Sequence, residues 1–245
     1  MMLKNILITS GGTSEPVDRI RSITNTSTGT LGSLIAQAFS GAEGVENIFY
    51  IHGKNAVIPD CKRLITVPIC STDDLLRAVR SVCEQHRPDA VIHCMAVSDF
   101  RVRSVISSDM LALSGGFDSE ESVGEFFDSR NLLSKYNKLP SSAGDPVILL
   151  EKTPKILPLF RELLPQAKIV GFKLLDGVPH EELIDTAHRL LMKSGCDYVL
   201  ANDYRTVEAG DHPGYLVDKD KRELHFSGKK AIAGGIAARL TGGTE

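Results

Sequence analysis

The chain has 245 residues, of which 42% are hydrophobic, and its 28 basic and 31 acidic side chains give a formal net charge of −3. This balance argues against binding to a nucleic-acid backbone, because such binding needs a basic surface. The length fits one large α/β domain or two small ones, and the composition is that of a globular protein.

The N-terminus contains a single Lys before the first predicted strand and lacks the apolar core and cleavage site of a signal peptide. No apolar stretch approaches the ~20 residues that a membrane-spanning helix needs. The five cysteines form no C-x-x-C pair, and the seven histidines show no metal-ligand spacing. We therefore predict a cytoplasmic protein without a membrane segment, and we assign no metal-binding residue.

Strand and helix patterns alternate along most of the chain. Strands are predicted at residues 3–9, 47–51, 64–67, 89–95, 147–150, 168–172 and 197–201, and helices at residues 31–39, 75–85, 155–164, 180–193 and 229–240. Residues 215–217 and 223–226 are predicted to form a β-hairpin. These units predict an α/β fold with a doubly wound, mostly parallel, Rossmann-like sheet and an antiparallel C-terminal hairpin.

Residues 104–130 interrupt this alternation, because they are rich in Ser, Gly, Asp and Glu. A loop of this length in a compact domain is commonly a lid or a disordered segment. We predict an irregular, mobile flap there, and we assign residues 1–245 to a single α/β domain with a flap at about 104–142.

The first predicted strand runs into Gly11 and Gly12, and a Ser/Thr-rich loop then leads past Gly29 and Gly32 into the first helix. These glycines do not form the G-x-G-x-x-G fingerprint of dinucleotide-binding folds. The loop nevertheless offers hydroxyls, backbone N–H groups and the amide of Asn25 to an anionic ligand.

Ligands of open α/β sheets bind beyond the carboxyl ends of the strands. Four segments follow predicted strands and are expected to converge there, with residues 202–203 as a possible fifth. The four segments are residues 10–32, 95–103, 151–157 and 171–176.

Several side chains in or near these segments have both a ligand-binding and a structural interpretation. Asp99 suits a metal ion or a nucleotide hydroxyl, but an isolated Asp after a strand more often caps its own turn. Lys138 can clamp a phosphate or remain a solvated surface lysine. Thr153 and Pro154 predict a capped helix start that can bind a phosphate, although such starts are common.

The second half of the chain leaves similar choices open. Phe172 can stack on a base, while packing in the core is the simpler interpretation. Arg189 and Lys193 are four residues apart on one helix face, where they either share an anion or form a solvated basic surface. His93 lies in an apolar strand and is predicted to be a packed core imidazole.

Together these blocks resemble the phosphopantothenate–cysteine ligases of coenzyme A biosynthesis. The resemblance extends over most of the chain, from residue 6 to about residue 202, and the blocks follow the family's order. The matching blocks are residues 8–16, 20–29, 96–101, 137–142, 152–157, 171–174 and 197–203.

The resemblance implies a two-step reaction and a set of ligands. A nucleoside triphosphate, CTP in typical bacterial members and ATP in eukaryotic ones, activates the phosphopantothenate carboxylate as an acyl-nucleotide and releases pyrophosphate. The amine of L-cysteine then displaces the nucleoside monophosphate. Mg²⁺ as cofactor, a homodimer and a separate phosphopantothenoylcysteine decarboxylase as possible partner are further expectations of the same resemblance.

The resemblance also assigns roles to individual residues. It implies that Asn25 and Lys138 are catalytic, with Lys135 as the alternative lysine. The implied substrate-binding residues are Gly11, Gly12, Thr13, Asn25, Ser27 and Gly29, and the implied nucleotide-binding residues are Met95, Asp99, Lys138, Pro154, Lys155, Ile156, Leu157, Phe172, Arg189, Lys193 and Asn202. The chain has Thr30 where the family commonly has Lys, and its Phe172-Lys173-Leu174 is closer to the eukaryotic members. These departures leave the choice between CTP and ATP open.

Two other functions compete with the ligase. A short-chain, NAD(P)-dependent oxidoreductase needs Tyr-x-x-x-Lys on a helix, and the two pairs with that spacing, Tyr50/Lys54 and Tyr215/Lys219, fall on a strand end and in the predicted hairpin. The second alternative is a nucleotide-binding relative of the ligases that keeps the fold and has lost the activity.

Overall fold

The computed structural model describes residues 3–134, 136–142, 144–208 and 212–242. These residues divide into two compact units. The sheet unit comprises the described residues up to Thr13, residues 26–96 and those from Lys155 onward, and the ribbon unit comprises residues 14–25 and the described part of 97–154.

The secondary-structure elements are numbered in chain order. The strands are β1 (Asn5–Ser10), β2 (Ser14–Pro16), β3 (Ser22–Thr24), β4 (Asn47–Gly53), β5 (Leu64–Ile69), β6 (Ala90–His93), β7 (Phe100–Ser107), β8 (Pro146–Lys152), β9 (Lys168–Leu175), β10 (Tyr198–Asp203), β11 (Pro213–Asp218) and β12 (Glu223–Ser227). The α-helices are α1 (Thr30–Ser40), α2 (Thr72–His86), α3 (Ser108–Ala112), α4 (Glu120–Ser129), α5 (Ile156–Leu163), α6 (His180–Ser194), α7 (Tyr204–Glu208) and α8 (Lys229–Thr241).

The sheet unit is built on an eight-stranded sheet with the order β12-β11-β10-β9-β6-β1-β4-β5. The six strands from β5 to β10 in this order are parallel, and β11 and β12 form an antiparallel hairpin at one edge. The chain winds outward from β1 through β4 to β5, and then returns to β6 on the other side of β1. The predicted doubly wound, mostly parallel sheet and its C-terminal hairpin are confirmed, and the switch point lies between β1 and β6.

The central strands are apolar on both faces, as strands covered by helices on both sides must be. On one face, Ile6 and Ile8 pack with Ile35 and Phe39 of α1 and with Ile232 of α8. The residues on the opposite face of these strands, such as Leu7, Phe49 and Val91, are also completely buried. Among the described helices, none combines the length and the apolar character of a membrane-spanning helix.

Two aspartates fix the amino ends of the strands. Asp89 accepts hydrogen bonds from the backbone N–H groups of Lys4 and Asn5 at 2.8 and 2.9 Å. Asp197 accepts one from the backbone N–H of Ile169 at 2.9 Å, and it also pairs with Arg161 at 2.8 Å. Each carboxylate satisfies backbone donors that the strand ends would otherwise leave to solvent.

The ribbon unit contains two antiparallel pairs, β2 with β3 and β7 with β8. Its apolar cluster comprises the buried side chains of Val17, Val105, Leu132 and Leu139. The prediction that residues 104–130 form an irregular loop was wrong, because β7 continues to Ser107 and two helices follow. Ser107 and Ser119 accept hydrogen bonds from N–H groups in the first turns of α3 and α4, so the polar residues that suggested a loop are helix caps.

The prediction that residues 151–157 follow a strand of the parallel sheet was also wrong. β8 pairs with β7 in the ribbon unit and is not a strand of the parallel sheet, so the rule on carboxyl ends does not apply to it. Thr153 does not cap α5: its hydroxyl donates to the carbonyl of Ser98, and the N-cap position is Lys155. Pro154 precedes that N-cap and lies outside the helix.

His93 ends β6 as a buried imidazole, as predicted. It is hydrogen-bonded to the hydroxyl of Thr9 at 2.7 Å, and its ring packs on Phe160 with 5.2 Å between the ring centroids. Burial disfavours the charged form and lowers the pKa of His93 to about 4. The folded protein therefore holds this histidine neutral at physiological pH.

This burial predicts a loss of stability in acid. The unfolded chain protonates His93 near pH 6.5, whereas the folded chain resists protonation until about pH 4, so the free energy of unfolding falls as the pH drops between these values. The contribution is on the order of 3 kcal/mol. Urea unfolding of the wild type and of His93→Gln at pH 7.5 and pH 4.5 tests this. We expect a smaller acid loss in the variant, and equal losses would contradict the assignment.

Candidate functional site

The segments that leave β1 and β6 continue to pair beyond the ends of both strands. The N–H of Ala96 donates to the carbonyl of Gly11 at 2.8 Å, and the N–H of Thr13 donates to the carbonyl of Ala96 at 3.1 Å. Gly12 and Ala96 form a parallel bridge. Met95, which directly precedes Ala96, is buried. Gly11, Gly12, Thr13 and Met95 thus lie together at the switch point, the usual ligand position in this fold.

Gly11 and Gly29 approach the same side chain from two different loops. Both have positive φ, +82° and +68°. A Cβ at Gly11 would lie 2.6 Å from the Cβ of Ala56, and one at Gly29 would lie 2.9 Å from it. Only glycine combines this backbone conformation with such a close approach. The loop after β4, which carries Ala56, is therefore packed against both glycine loops.

Hydrogen bonds hold the end of the first polar loop in the same place. The Ser10 hydroxyl donates to the carbonyl of Gly29 at 3.1 Å, and the N–H of Val57 donates to the carbonyl of Thr28 at 2.9 Å. The buried phenol of Tyr50 donates in turn to the carbonyl of Val57 at 2.8 Å. Burial raises the pKa of Tyr50 to about 12, so the phenol keeps its proton. The loop backbone is thus tied to residues of β1 and β4.

The first helix begins directly after this loop. Gly29 is its N-cap and has no side chain to cap it. The N–H of Thr30 donates to the hydroxyl of Thr28 at 3.4 Å, and the N–H groups that follow in the first turn can bind an anion. The hydroxyls of Thr28 and Thr30 are exposed and lie 2.8 Å apart, and Ser27 is half-buried. A fixed loop with hydroxyls and a helix N-terminus can bind phosphate or carboxylate oxygens.

Two predicted nucleotide contacts lie on β9 and β10. Phe172 is partly buried and packs against the apolar core of the sheet unit. Asn202 is buried, and its side-chain amide donates to the carbonyl of Pro213 at 2.7 Å. Beyond them, the carboxylate of Asp203 accepts hydrogen bonds from the N–H groups of Gly177 and Arg205 at 3.0 and 2.9 Å. These backbone donors lower the pKa of Asp203 and keep it ionised.

The start of α5 presents the remaining cluster of predicted contacts. Pro154 and Lys155 are exposed, Ile156 is buried, and Leu157 is half-buried. The methyl groups of Leu157 pack against Gly171, where a Cβ would lie 3.0 Å from the nearer one. The side chains of Ile156 and Leu157 therefore serve packing, and the groups at this position that could bind an anion are the backbone N–H groups of the first turn.

Arg189 and Lys193 are not brought to the carboxyl edge. Both are exposed on α6, which begins after β9 and runs back along the sheet. Lys193 lies in the last turn, roughly 20 Å along the helix from its first residue. Arg189 donates to the hydroxyl of Thr186 at 2.8 Å. This position favours the solvated basic surface over an anion-binding pair.

The ribbon unit carries Asn25, Asp99 and Lys138. Asn25 is half-buried, directly after β3, while the side chains of Asp99 and Lys138 are exposed. The carbonyl of Asp99 accepts a hydrogen bond from the N–H of Thr153 at 3.0 Å. Among the described residues, no salt bridge engages the Lys138 ammonium. Lys135, the alternative lysine, lies outside the described residues.

The oxidoreductase alternative requires a helical Tyr-x-x-x-Lys pair, and neither pair of that spacing is helical. Tyr50 lies on β4 with its phenol buried, and Tyr215 lies on β11.

The cysteines are free. Burial raises the pKa values of Cys83 and Cys94 to about 12 and that of Cys196 to about 11, which makes them poor nucleophiles.

Sequence reasoning identified the glycines of the polar loop but missed the supporting roles of Tyr50, Ala56 and Val57. Their signal is weak because an apolar or small residue after a strand has no distinctive pattern. Their importance comes from contacts with loops that are distant in sequence.

Comparisons with known proteins place this geometry in a family. Residues 1–111 match the DNA/pantothenate metabolism flavoprotein C-terminal domain. The crystal structure of the DNA/pantothenate metabolism flavoprotein from Streptococcus pneumoniae is 33% identical, with a TM-score of 0.86, over 98% of this chain and 99% of that one. A Cab2 variant in complex with phosphopantothenate-cysteine has the same fold, with 20% identity and a TM-score of 0.68 over 97% of this chain and 86% of that one.

A curated relative is the coenzyme A biosynthesis bifunctional protein CoaBC of Thermococcus kodakarensis, 32% identical over 220 residues, 89% of this chain and 45% of the relative. The chain spans about half the length of the curated relatives it matches. Its match to the Streptococcus pneumoniae protein extends over nearly the full length of both. The chain therefore belongs to the DNA/pantothenate metabolism flavoprotein C-terminal domain family, in agreement with its predicted resemblance to the phosphopantothenate–cysteine ligases.

Proposed function

We propose that this chain joins phosphopantothenate to L-cysteine in coenzyme A biosynthesis. In the first step, a phosphopantothenate carboxylate oxygen attacks the α-phosphorus of a nucleoside triphosphate, and pyrophosphate leaves. In the second, the amine of cysteine attacks the carbonyl carbon of the acyl-nucleotide and loses a proton, and the nucleoside monophosphate leaves. The product is phosphopantothenoylcysteine.

The observation that carries this proposal is the rigid glycine loop at the switch point, the name we give to residues 10–13 together with residues 26–29. Gly11 and Gly29 close on Ala56, and the N-terminus of α1 follows directly. Such a loop suits a ligand with several anionic oxygens, and both proposed substrates of the first step have them. The names of the curated relatives, which place them in coenzyme A biosynthesis, support the same pathway.

We assign binding roles to the residues that the family resemblance singles out. Gly11, Gly12, Thr13, Asn25, Ser27 and Gly29 bind phosphopantothenate, and Met95, Asp99, Lys138, Pro154, Lys155, Ile156, Leu157, Phe172 and Asn202 bind the nucleotide. Arg189 and Lys193 are left out because α6 carries them away from the carboxyl edge of the sheet.

The proposed chemistry requires positioning and charge stabilisation, and it needs no nucleophilic side chain. The Asn25 amide donates hydrogen bonds to the acyl oxygen on which negative charge develops when the cysteine amine attacks the carbonyl carbon. The Lys138 ammonium offsets the charge of the pyrophosphate as it leaves.

Mg²⁺ is proposed to enter with the triphosphate. In the described part of the chain, no group of three or more His, Cys, Asp and Glu side chains is placed to hold a metal ion. Mg²⁺ is commonly bound through substrate phosphates and water with few protein ligands, so it fits this arrangement as a partner of the nucleotide. CTP is the proposed nucleotide, with ATP as the alternative.

The resemblance also leads us to propose that the reaction takes place in the cytoplasm. A separate phosphopantothenoylcysteine decarboxylase is the proposed consumer of the product.

The first test measures pyrophosphate release from phosphopantothenate, cysteine and Mg²⁺ with CTP or ATP supplied separately. We expect release that depends on phosphopantothenate, and the faster nucleotide identifies the co-substrate. No release with either nucleotide would favour the inactive nucleotide-binding relative. A fluorescence titration with NADH and NADPH is the control for the oxidoreductase, and tight binding of either would support that alternative.

Replacement of Asn25 by Asp tests the role of the amide. The variant keeps the shape but puts a carboxylate beside a developing negative charge, so we expect overall turnover to fall by about 10²-fold or more. We expect acyl-nucleotide to accumulate or dissociate, detectable by mass spectrometry of quenched reactions. Asn47→Asp is the matched control, because Asn47 begins β4 at the amino edge and bonds Asn5 at 2.9 Å. Equal turnover of Asn25→Asp and wild type would contradict the role.

A homodimer is the proposed assembly. The β7–β8 pair exposes Phe100, Ile148 and Leu150, with 50%, 36% and 40% of their surfaces accessible. Strand alternation and register put these three side chains on one face, which suits a second copy of the chain.

Light scattering coupled to size-exclusion chromatography tests the assembly. We expect the mass of a dimer for the wild type and a shift toward monomer for Leu150→Lys, because the lysine places a charge in the apolar contact. Leu113→Lys, at a position 84% exposed outside the strand pair, is expected to remain dimeric. A monomer at all concentrations of wild type would exclude the proposal.

A further inference from the structure

One carboxylate in the ribbon unit joins two segments that are far apart in sequence. The side chain of Asp18 has no exposed surface. One oxygen accepts hydrogen bonds from the backbone N–H groups of Ile20 and Arg21, each at 2.8 Å. The other accepts from the backbone N–H of Leu139 and from the guanidinium of Arg21, each at 3.1 Å.

Both neighbours of Lys138 are fixed by these contacts. The N–H of Arg19 donates to the carbonyl of Asn137 at 3.1 Å, so the residue before Lys138 is tied to the same turn. The residue after it, Leu139, donates its N–H to Asp18 and buries its side chain in the apolar cluster with Val17. Lys138 lies between two fixed residues and extends an exposed side chain.

The charge of Asp18 suits this role. The backbone N–H groups of Ile20, Arg21 and Leu139 and the guanidinium of Arg21 lower the pKa of Asp18 below its usual value. The carboxylate therefore stays ionised at physiological pH and accepts from all four donors. A neutral amide of the same shape has one oxygen acceptor and turns its NH₂ group toward the donors on the other side.

We propose that Asp18 is a positioning residue for the nucleotide-activating step. It fixes the backbone on both sides of Lys138 and thereby sets the direction in which the ammonium extends toward the triphosphate. This role rests on the proposed function, because it assigns Asp18 to the step in which pyrophosphate leaves.

The test compares Asp18→Asn, Lys138→Gln and the double variant. Pyrophosphate release at saturating substrates is measured per correctly folded enzyme. We expect Lys138→Gln to lower kcat by about 10²-fold and Asp18→Asn by about tenfold, because a displaced ammonium stabilises the leaving group less well. We expect the double variant to be no slower than Lys138→Gln, because Asp18 acts through a group already removed. A further tenfold loss in the double variant would overturn the proposal.

Asp128→Asn is the matched control. Asp128 is also a carboxylate of the ribbon unit, and it binds Arg103 at 2.6 Å and the hydroxyl of Ser104. This variant loses a comparable network and leaves the Lys138 segment intact, so its kcat is expected to match the wild type within about twofold. Asp18→Glu keeps the negative charge but moves the carboxylate away from its donors. This variant replaces Asp18→Asn in the test if Asp18→Asn does not fold. Its kcat is expected to lie between those of wild type and Lys138→Gln, and a wild-type value would contradict the proposal.

A second readout does not depend on activity. Hydrogen exchange of the Leu139 amide, measured on the folded protein, is expected to be faster in Asp18→Asn and unchanged in Asp128→Asn. Unchanged exchange in Asp18→Asn would show that the carboxylate does not hold this segment, which overturns the proposal even in an active enzyme. Faster exchange in Asp18→Asn, combined with no pyrophosphate release by the wild type, would confirm the tether and refute the proposed function, and with it the role of Asp18 in that step.

Discussion

The backbone pairing that continues past β1 and β6 is the constraint on which the sheet unit's candidate site depends. Because Gly12 pairs with Ala96, the two segments that leave the sheet at the switch point start in fixed register. Ser10, the last residue of β1, then holds the carbonyl of Gly29, and α1 begins from that point. A shift of either segment would move the glycine loop and the helix N-terminus together. The parallel sheet therefore holds the polar groups of the candidate site in fixed positions.

The two units use the same physical means to keep the polar groups of their loops exposed. In the sheet unit, the buried phenol of Tyr50 holds Val57, which in turn holds the carbonyl of Thr28. In the ribbon unit, the carboxylate of Asp18 holds the N–H of Leu139. In both cases a buried side chain satisfies the loop backbone, so the hydroxyls and the ammonium of these loops stay exposed. Preorganised groups of this kind lose little conformational entropy when a ligand binds.

Periodicity predicted the parallel sheet and its hairpin well, because buried parallel strands leave long apolar runs and amphipathic helices leave a stripe. It did not predict the partner of β8. The alternating pattern of Pro146–Lys152 fits any half-exposed strand, and only the register with Phe100–Ser107 assigns it to the ribbon. Residues 104–130 were misread because Ser and acidic residues mark helix starts as well as loops. Sequence reasoning found the glycine loop because its composition is distinctive, and it did not find the residues that support this loop.

The sequence by itself determined the alternation of strands and helices, the packed histidine of β6 and the glycine-rich loop, since each leaves a pattern within a short window. Only the tertiary structure decided what those patterns pack against. Gly235 weakens α8 when read alone, but the ring of Phe226 occupies the space of its side chain, with a Cβ only 2.2 Å from that ring. Gly11 and Gly29 likewise need to be glycine because Ala56 lies between them. Local propensity acts over a few residues, whereas packing joins residues far apart in the chain, and so these roles became visible only in the fold.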